Sequence, residues 1–65
     1  MARLTKEEVL IFAVASGLEN PRVVYRKPLG ASIQLVIYHG AAGDRQEIVL
    51  DGSADAKAIK ARLET

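Results

Sequence analysis

Val9-Leu10-Ile11-Phe12-Ala13-Val14-Ala15 is seven apolar residues without a break, and few small folds can accommodate it. Thr5-Lys6-Glu7-Glu8 precedes it in the pattern of a capping box: Thr5 can accept from the Glu8 N–H while Glu8 reaches back to the Thr5 N–H. Leu4 before the cap and Val9 four residues after it suit a hydrophobic staple. Glu7 and Glu8 stand where the helix dipole favours negative charge. Beyond the run, Gly17 can take the left-handed conformation, Leu18 can fold back, and Pro21 prevents the helix from resuming. These signals predict a helix over about residues 6–16. A helix turns about 100° per residue, so the run cannot all face one way. Part of it must meet a broad surface, and part, Leu10 or Ile11, is left for a partner or for contact with a second helix.

The following segment supplies that surface. Arg22 to Lys27 is rich in β-branched and aromatic residues and reads as a strand over about 22–27, which Pro28 ends or marks as an edge. Ser32 to His39 is the strongest strand in the chain, with Ile33, Leu35 and Ile37 on one face and Gln34, Val36 and Tyr38 on the other. Gly40 to Asp44 is a hairpin loop, and about 45–50 is a third strand with Ile48 and Leu50 on one face and Glu47 and Val49 on the other. Asp51-Gly52-Ser53 ends it, with Ser53 as the expected N-cap of a helix over about 54–64. Ala56, Ile59 and Leu63 form the apolar stripe of that helix. Short connections make sequential strands pair. The expected fold is α+β, a two-layer αβββα domain in which a three-stranded antiparallel meander takes both helices on one face.

Length and composition narrow the function classes. Sixty-five residues make one domain, and a chain of this size buries only about 60% of its unfolded surface. It has no cysteine and a single histidine, His39, which excludes disulfides, thiolate metal sites and multi-histidine sites; the Asp-x-Asp spacing of a calcium loop is absent too. No cofactor is expected. Stabilising help must come from packing or association. Seven apolar residues cannot span a bilayer, which needs about 20. Met1-Ala2-Arg3 before the run has the outline of a signal peptide. Glu7 and Glu8, however, sit where such a peptide carries positive charge, and the run is at the lower length limit. A cytoplasmic chain without a leader is expected.

No catalytic set is visible. His39 and Ser32 lie at opposite ends of one strand, Ser53 is explained as a cap, and Glu7 and Glu8 by capping and dipole. Gly40-Ala41-Ala42-Gly43 joins two strands and does not lead into a helix as a phosphate loop does. The chain is expected not to be an enzyme, and no small-molecule ligand is evident.

Helix–strand–strand–strand–helix over this length resembles the double-stranded-RNA-binding domain. Pro21 and Tyr25 resemble that family's proline and tyrosine around its first strand. Asp51-Gly52-Ser53 with Ala56 and Lys57 resembles its glycine-serine lead into the second helix, and Leu63 its closing leucine. Gly30 falls in the strand 1–2 turn, where the family has a histidine-bearing loop; this chain has no histidine there. The resemblance implies the αβββα fold. The family's phosphate-gripping lysines at the start of the second helix are replaced by Ala54-Asp55, with Lys57 alone nearby, so the binding motif does not carry over.

Two functional expectations follow. If Ile33, Leu35, Ile37, Ile48 and Leu50 meet the helices, then Val36, Tyr38 and Val49 lie outside beside Gln34, joined by one of Val23 or Val24. A half-solvated sheet would carry polar residues there. The leading expectation is a non-catalytic module that binds a protein, or itself as a homodimer, through that face, through an edge strand, or through Leu10 and Ile11. The alternative is a nucleic-acid-binding module using Arg22, Arg26 and Lys27 of strand 1, with Arg45, Lys57 and Lys60. Net charge is only +1, from nine Lys and Arg against eight Asp and Glu, so a basic patch would have to be local.

Overall fold

The first helix, α1, spans Lys6–Ala15, and the capping box is fully formed. The Thr5 N–H donates to Glu8 Oε1 at 2.9 Å, and the Glu8 N–H donates to Thr5 Oγ1 at 3.2 Å. At the other end the Leu18 N–H donates to the Ala13 carbonyl and the Gly17 N–H to the Val14 carbonyl, with Gly17 at φ +84°. This is the Schellman arrangement that the Gly17-Leu18 pair predicts. The structure, a computed structural model, describes residues 4–64. Met1-Ala2-Arg3, which enter the leader question, lie outside them.

Three strands follow: β1 at Arg22–Arg26, β2 at Gln34–His39 and β3 at Gln46–Asp51, in spatial order β1-β2-β3 and antiparallel throughout. The register aligns Tyr25, Leu35 and Leu50 in one row and Val23, Ile37 and Ile48 in another, all on the inner face. Between these rows Val24, Val36 and Val49 stand together on the outer face. The β1–β2 connection closes with the Ala31 N–H on the Pro28 carbonyl, with Gly30 at φ +75° in the position where a type II turn requires positive φ.

The second helix, α2, spans Ala56–Leu63 and starts two residues later than the sequence suggests. Its N-cap is Asp55, whose side chain accepts from the Ala58 N–H at 2.9 Å. Ser53 has another partner: both its N–H and its hydroxyl donate to Asp51 Oδ1. The shift has a long-range cause. Gly52 is buried, and its N–H donates to the Ile33 carbonyl at 2.9 Å, so the sheet holds the chain past Asp51. A Cβ at Gly52 would sit 2.7 Å from that same carbonyl oxygen.

Both helices lie on one face of the sheet. Val9 and Ala13 of α1, Leu35 and Ile37 of β2 and Ile59 of α2 form a core with no solvent exposure. Val9 and Ala13 are spaced i, i+4 and so share one side of the helix. Leu4, Phe12, Leu18, Leu50 and Leu63 pack around this core. The Tyr25 hydroxyl donates to the Leu4 carbonyl at 2.9 Å, fixing the start of α1 over β1. The Lys60 ammonium stands 5.0 Å above the Phe12 ring and links the two helices.

Candidate functional site

The side of α1 that faces away from the core is apolar. Leu10 is 37% exposed, Ile11 65% and Val14 60%, and with Ala15 they line a shallow cleft of apolar side chains alone. Leu10 with Val14, and Ile11 with Ala15, form two adjacent i, i+4 rows. The apolar run wraps all round the helix, and the domain buries only the Val9–Ala13 side fully. Leu10 and Ile11 are therefore where the sequence leaves the helix uncovered. Val14 and Ala15 extend the same surface beyond the two residues the sequence points to, at the i+4 spacing from Leu10 and Ile11. Leu29 is a further exposed apolar side chain, at the tip of the β1–β2 turn.

The outer sheet face differs from the expected open patch. Val36 points away from the helices and nevertheless has no exposure. Val24 and Val49 flank it across the strands, and Gln34 and Tyr38 flank it along β2. Arg26 and Glu47, on opposite edge strands and at opposite ends of the face, meet diagonally across the Val36 position at 3.8 Å. The Arg26 Nε–H also donates to Gln34 Oε1 at 3.0 Å. Tyr38, Val49 and Gln34 keep partial exposure. Val36 is thus closed over by its neighbours, and the apolar row it centres is not a free surface.

The basic residues proposed from sequence divide between the two sides of the molecule. Lys57 and Lys60 are on α2, against the inner face, and Lys60 stands over Phe12. Arg26 lies on the outer face, engaged with Gln34 and Glu47, and Lys27 follows it as an exposed residue. Arg22 and Arg45 do come together. Arg22 is the cross-strand partner of Tyr38, and the two line an open depression with Asn20, Pro21, Ala42 and Arg45. Arg45 Nη1 donates to the Asn20 carbonyl at 2.9 Å and to the Gly40 carbonyl at 2.8 Å. The Gly40 N–H in turn donates to the Glu19 carbonyl at 2.8 Å. These bonds stitch the α1–β1 connection to the β2–β3 loop. The backbone there is special: Asn20 is at φ +47° and Gly40 at φ +116°, where a Cβ would meet the Asp44 carbonyl oxygen at 2.5 Å.

At the opposite end of the sheet the Asp51 carboxyl is held below its ordinary value, first by the Ser53 hydroxyl and then by the Ser53 N–H, both donated to the charged form. Among the described residues no group of three or more His, Cys, Asp and Glu side chains is placed to hold a metal ion. Among the described residues no helix is long and apolar enough to cross a membrane. Comparison of the chain with protein-family models, with curated proteins and with solved structures found no significant match.

Proposed function

We propose that this chain is a small, non-catalytic interaction module that binds protein, a second copy of itself included, through the uncovered side of α1. The observation that carries this reading is the cleft of Leu10, Ile11, Val14 and Ala15. Propensity does not account for it. Ile and Val are weaker helix formers than Ala, Lys or Glu, and a helix side meant for water is ordinarily built from the latter. Here the helix already has a full capping box and a Schellman stop, so the β-branched residues on its outer side serve no evident purpose within the domain. Two neighbouring i, i+4 rows are the surface that helix-on-helix or helix-in-groove recognition uses.

A concentration series in sedimentation velocity tests this. The wild-type chain is expected to self-associate or to form a complex with a protein recovered by cross-linking. The Ile11→Glu/Val14→Glu variant is expected to keep its circular dichroism and lose that association. A wild-type chain that stays monomeric throughout the series, with cross-linked species identical to those of the variant, would sink the reading.

A further inference from the structure

We propose that the depression between the α1–β1 connection and the β2–β3 loop is a binding site for one nucleotide unit of a single-stranded nucleic acid. In this site Arg22 and Arg45 engage phosphate and Tyr38 offers its ring to an unpaired base. The site is on the outer side of the sheet, away from α2, and it does not depend on the reading of the α1 surface.

Arg45 is anchored by two backbone carbonyls. Its Nη1 uses both hydrogens, one on the Asn20 carbonyl and one on the Gly40 carbonyl. A guanidinium has five N–H donors in a fixed fork, so Nε and Nη2 keep three. Among the described residues none of the three has a protein partner, and the Arg22 side chain makes no hydrogen bond or ion pair either. Arg45 is also pre-positioned. It is tied to two loops that are tied to each other through Gly40 and Glu19, and the Asp44 N–H on the Ala41 carbonyl closes the turn before it. A cation already fixed in place loses little freedom when it meets an anion. Without an anion, two guanidinium groups lining one depression with no acidic side chain repel each other.

Glu7 of α1 lines a separate depression that Arg22 also borders, with Lys6 beside it, and makes no ion pair with Arg22. Glu47 is the other cross-strand neighbour of Tyr38, and its carboxylate meets Arg26 at the far end of the face. Glu19 and Asp44 belong to the two loops as exposed residues and do not line the depression. The lining therefore holds two cations and one aromatic residue, with Tyr38 directly across the strands from Arg22. Tyr38 sets the ligand class. Guanidinium groups alone would suit any anion, but a partly exposed tyrosine on a sheet face beside them is the stacking platform that single strands use. A duplex keeps its bases stacked and cannot place one on the ring. The depression is open, so a strand can cross it.

The test is fluorescence anisotropy with labelled single-stranded RNA and DNA decamers. Parallel titrations use a duplex of the same sequence and a poly-glutamate peptide. Single strands are expected to bind with a salt slope of about 1.4 in log–log terms, the value for two phosphate contacts on a single strand. Arg22→Glu is expected to weaken binding by about tenfold or more, and Tyr38→Leu by about tenfold through the lost stacking. Both positions are at the surface, and Ile11→Glu should bind as the wild type does, which separates this site from the α1 face. The absence of salt-dependent binding to single strands would overturn the proposal. So would variants that bind as the wild type does, or a duplex or poly-glutamate bound as tightly as the single strand.

Discussion

On the outer side of the sheet Val24, Val36 and Val49 stand in one row. On the outer side of α1, Leu10, Ile11 and Val14 form a comparable apolar set. The two sets have been treated in opposite ways. The sheet row is closed: its central valine has no exposure, because Gln34 and Tyr38 flank it and Arg26 and Glu47 meet across it. The helix set is open, with Ile11 and Val14 each more than half exposed. The long side chains of Arg26 and Glu47 cover apolar surface with their stems while their charged ends stay in water. Among the described residues nothing comparable lies over Ile11. Apolar composition alone therefore does not mark a docking surface, and the polar neighbours within reach decide which set stays available.

A matched pair of charge insertions puts the largest strain on this contrast. Val36→Glu places a carboxylate where the native side chain has no exposure, and it should cost about 3 kcal/mol or more. For a 65-residue domain that is most of its stability, so extensive loss of structure is expected by circular dichroism and urea unfolding. Ile11→Glu replaces a solvated side chain with a better helix former and should stay within about 0.5 kcal/mol of wild type. If the two variants unfold at the same urea concentration, the outer sheet face is as open as the helix, and the distinction fails. A charge at Val36 accordingly measures folding, and interface mapping belongs at Ile11 and Val14.

The distinction also shows which parts of the molecule are legible in the chain. Thr5, Glu8, Gly17 and Leu18 act within a few residues of one another, and the structure has each of them in the part their sequence pattern predicts. The two-residue period of β2 likewise sets which residues meet the helices, Leu35 and Ile37 sharing the inner face while Val36 takes the outer one. Ser53 is different. Asp51, Ser53 and Asp55 are all competent caps, and local spacing cannot rank them; the bond from Gly52 to Ile33, nearly twenty positions away in the chain, sets the start of α2. The burial of Val36 and the tethering of Arg45 to Asn20 depend on long-range geometry of the same kind. The candidate surfaces divide accordingly. Leu10 and Ile11 follow from helix periodicity, whereas the meeting of Arg22, Tyr38 and Arg45 needs the register and the loop stitching together.

A smaller effect tests whether the end of the outer face that holds Arg45 is as rigid as its bonding implies. Gly40 and Gly17 both have positive φ, but only Gly40 lacks room for a side chain. Gly17→Ala should cost about 1 kcal/mol, the ordinary penalty of a left-handed alanine. Gly40→Ala adds a clash with the Asp44 carbonyl oxygen and should cost about 2–3 kcal/mol. Thermal melts of the two variants side by side give the difference. Equal losses would mean that the β2–β3 loop relaxes freely, and Arg45 would then not be held in place.

The smallest effect concerns the other end of the sheet, where Asp51 organises the turn into α2. Its carboxyl titrates below its ordinary value because the Ser53 hydroxyl and N–H both donate to the ionised form. A depressed folded-state pKa adds stability that is present above the unfolded-state value of about 3.9, and that stability is lost as pH falls through the folded-state value. Asp51→Asn keeps an oxygen able to accept both bonds but cannot titrate. Its melting temperature should lie slightly below wild type at pH 6 and converge with it as the pH drops below about 4. Because the carboxylate is exposed, the gap is expected to be small and to shrink with added salt. A gap that is constant from pH 6 to pH 2 would mean that the charge on Asp51 contributes nothing to the turn. The start of α2 would then rest on Asp55 and the Gly52–Ile33 bond.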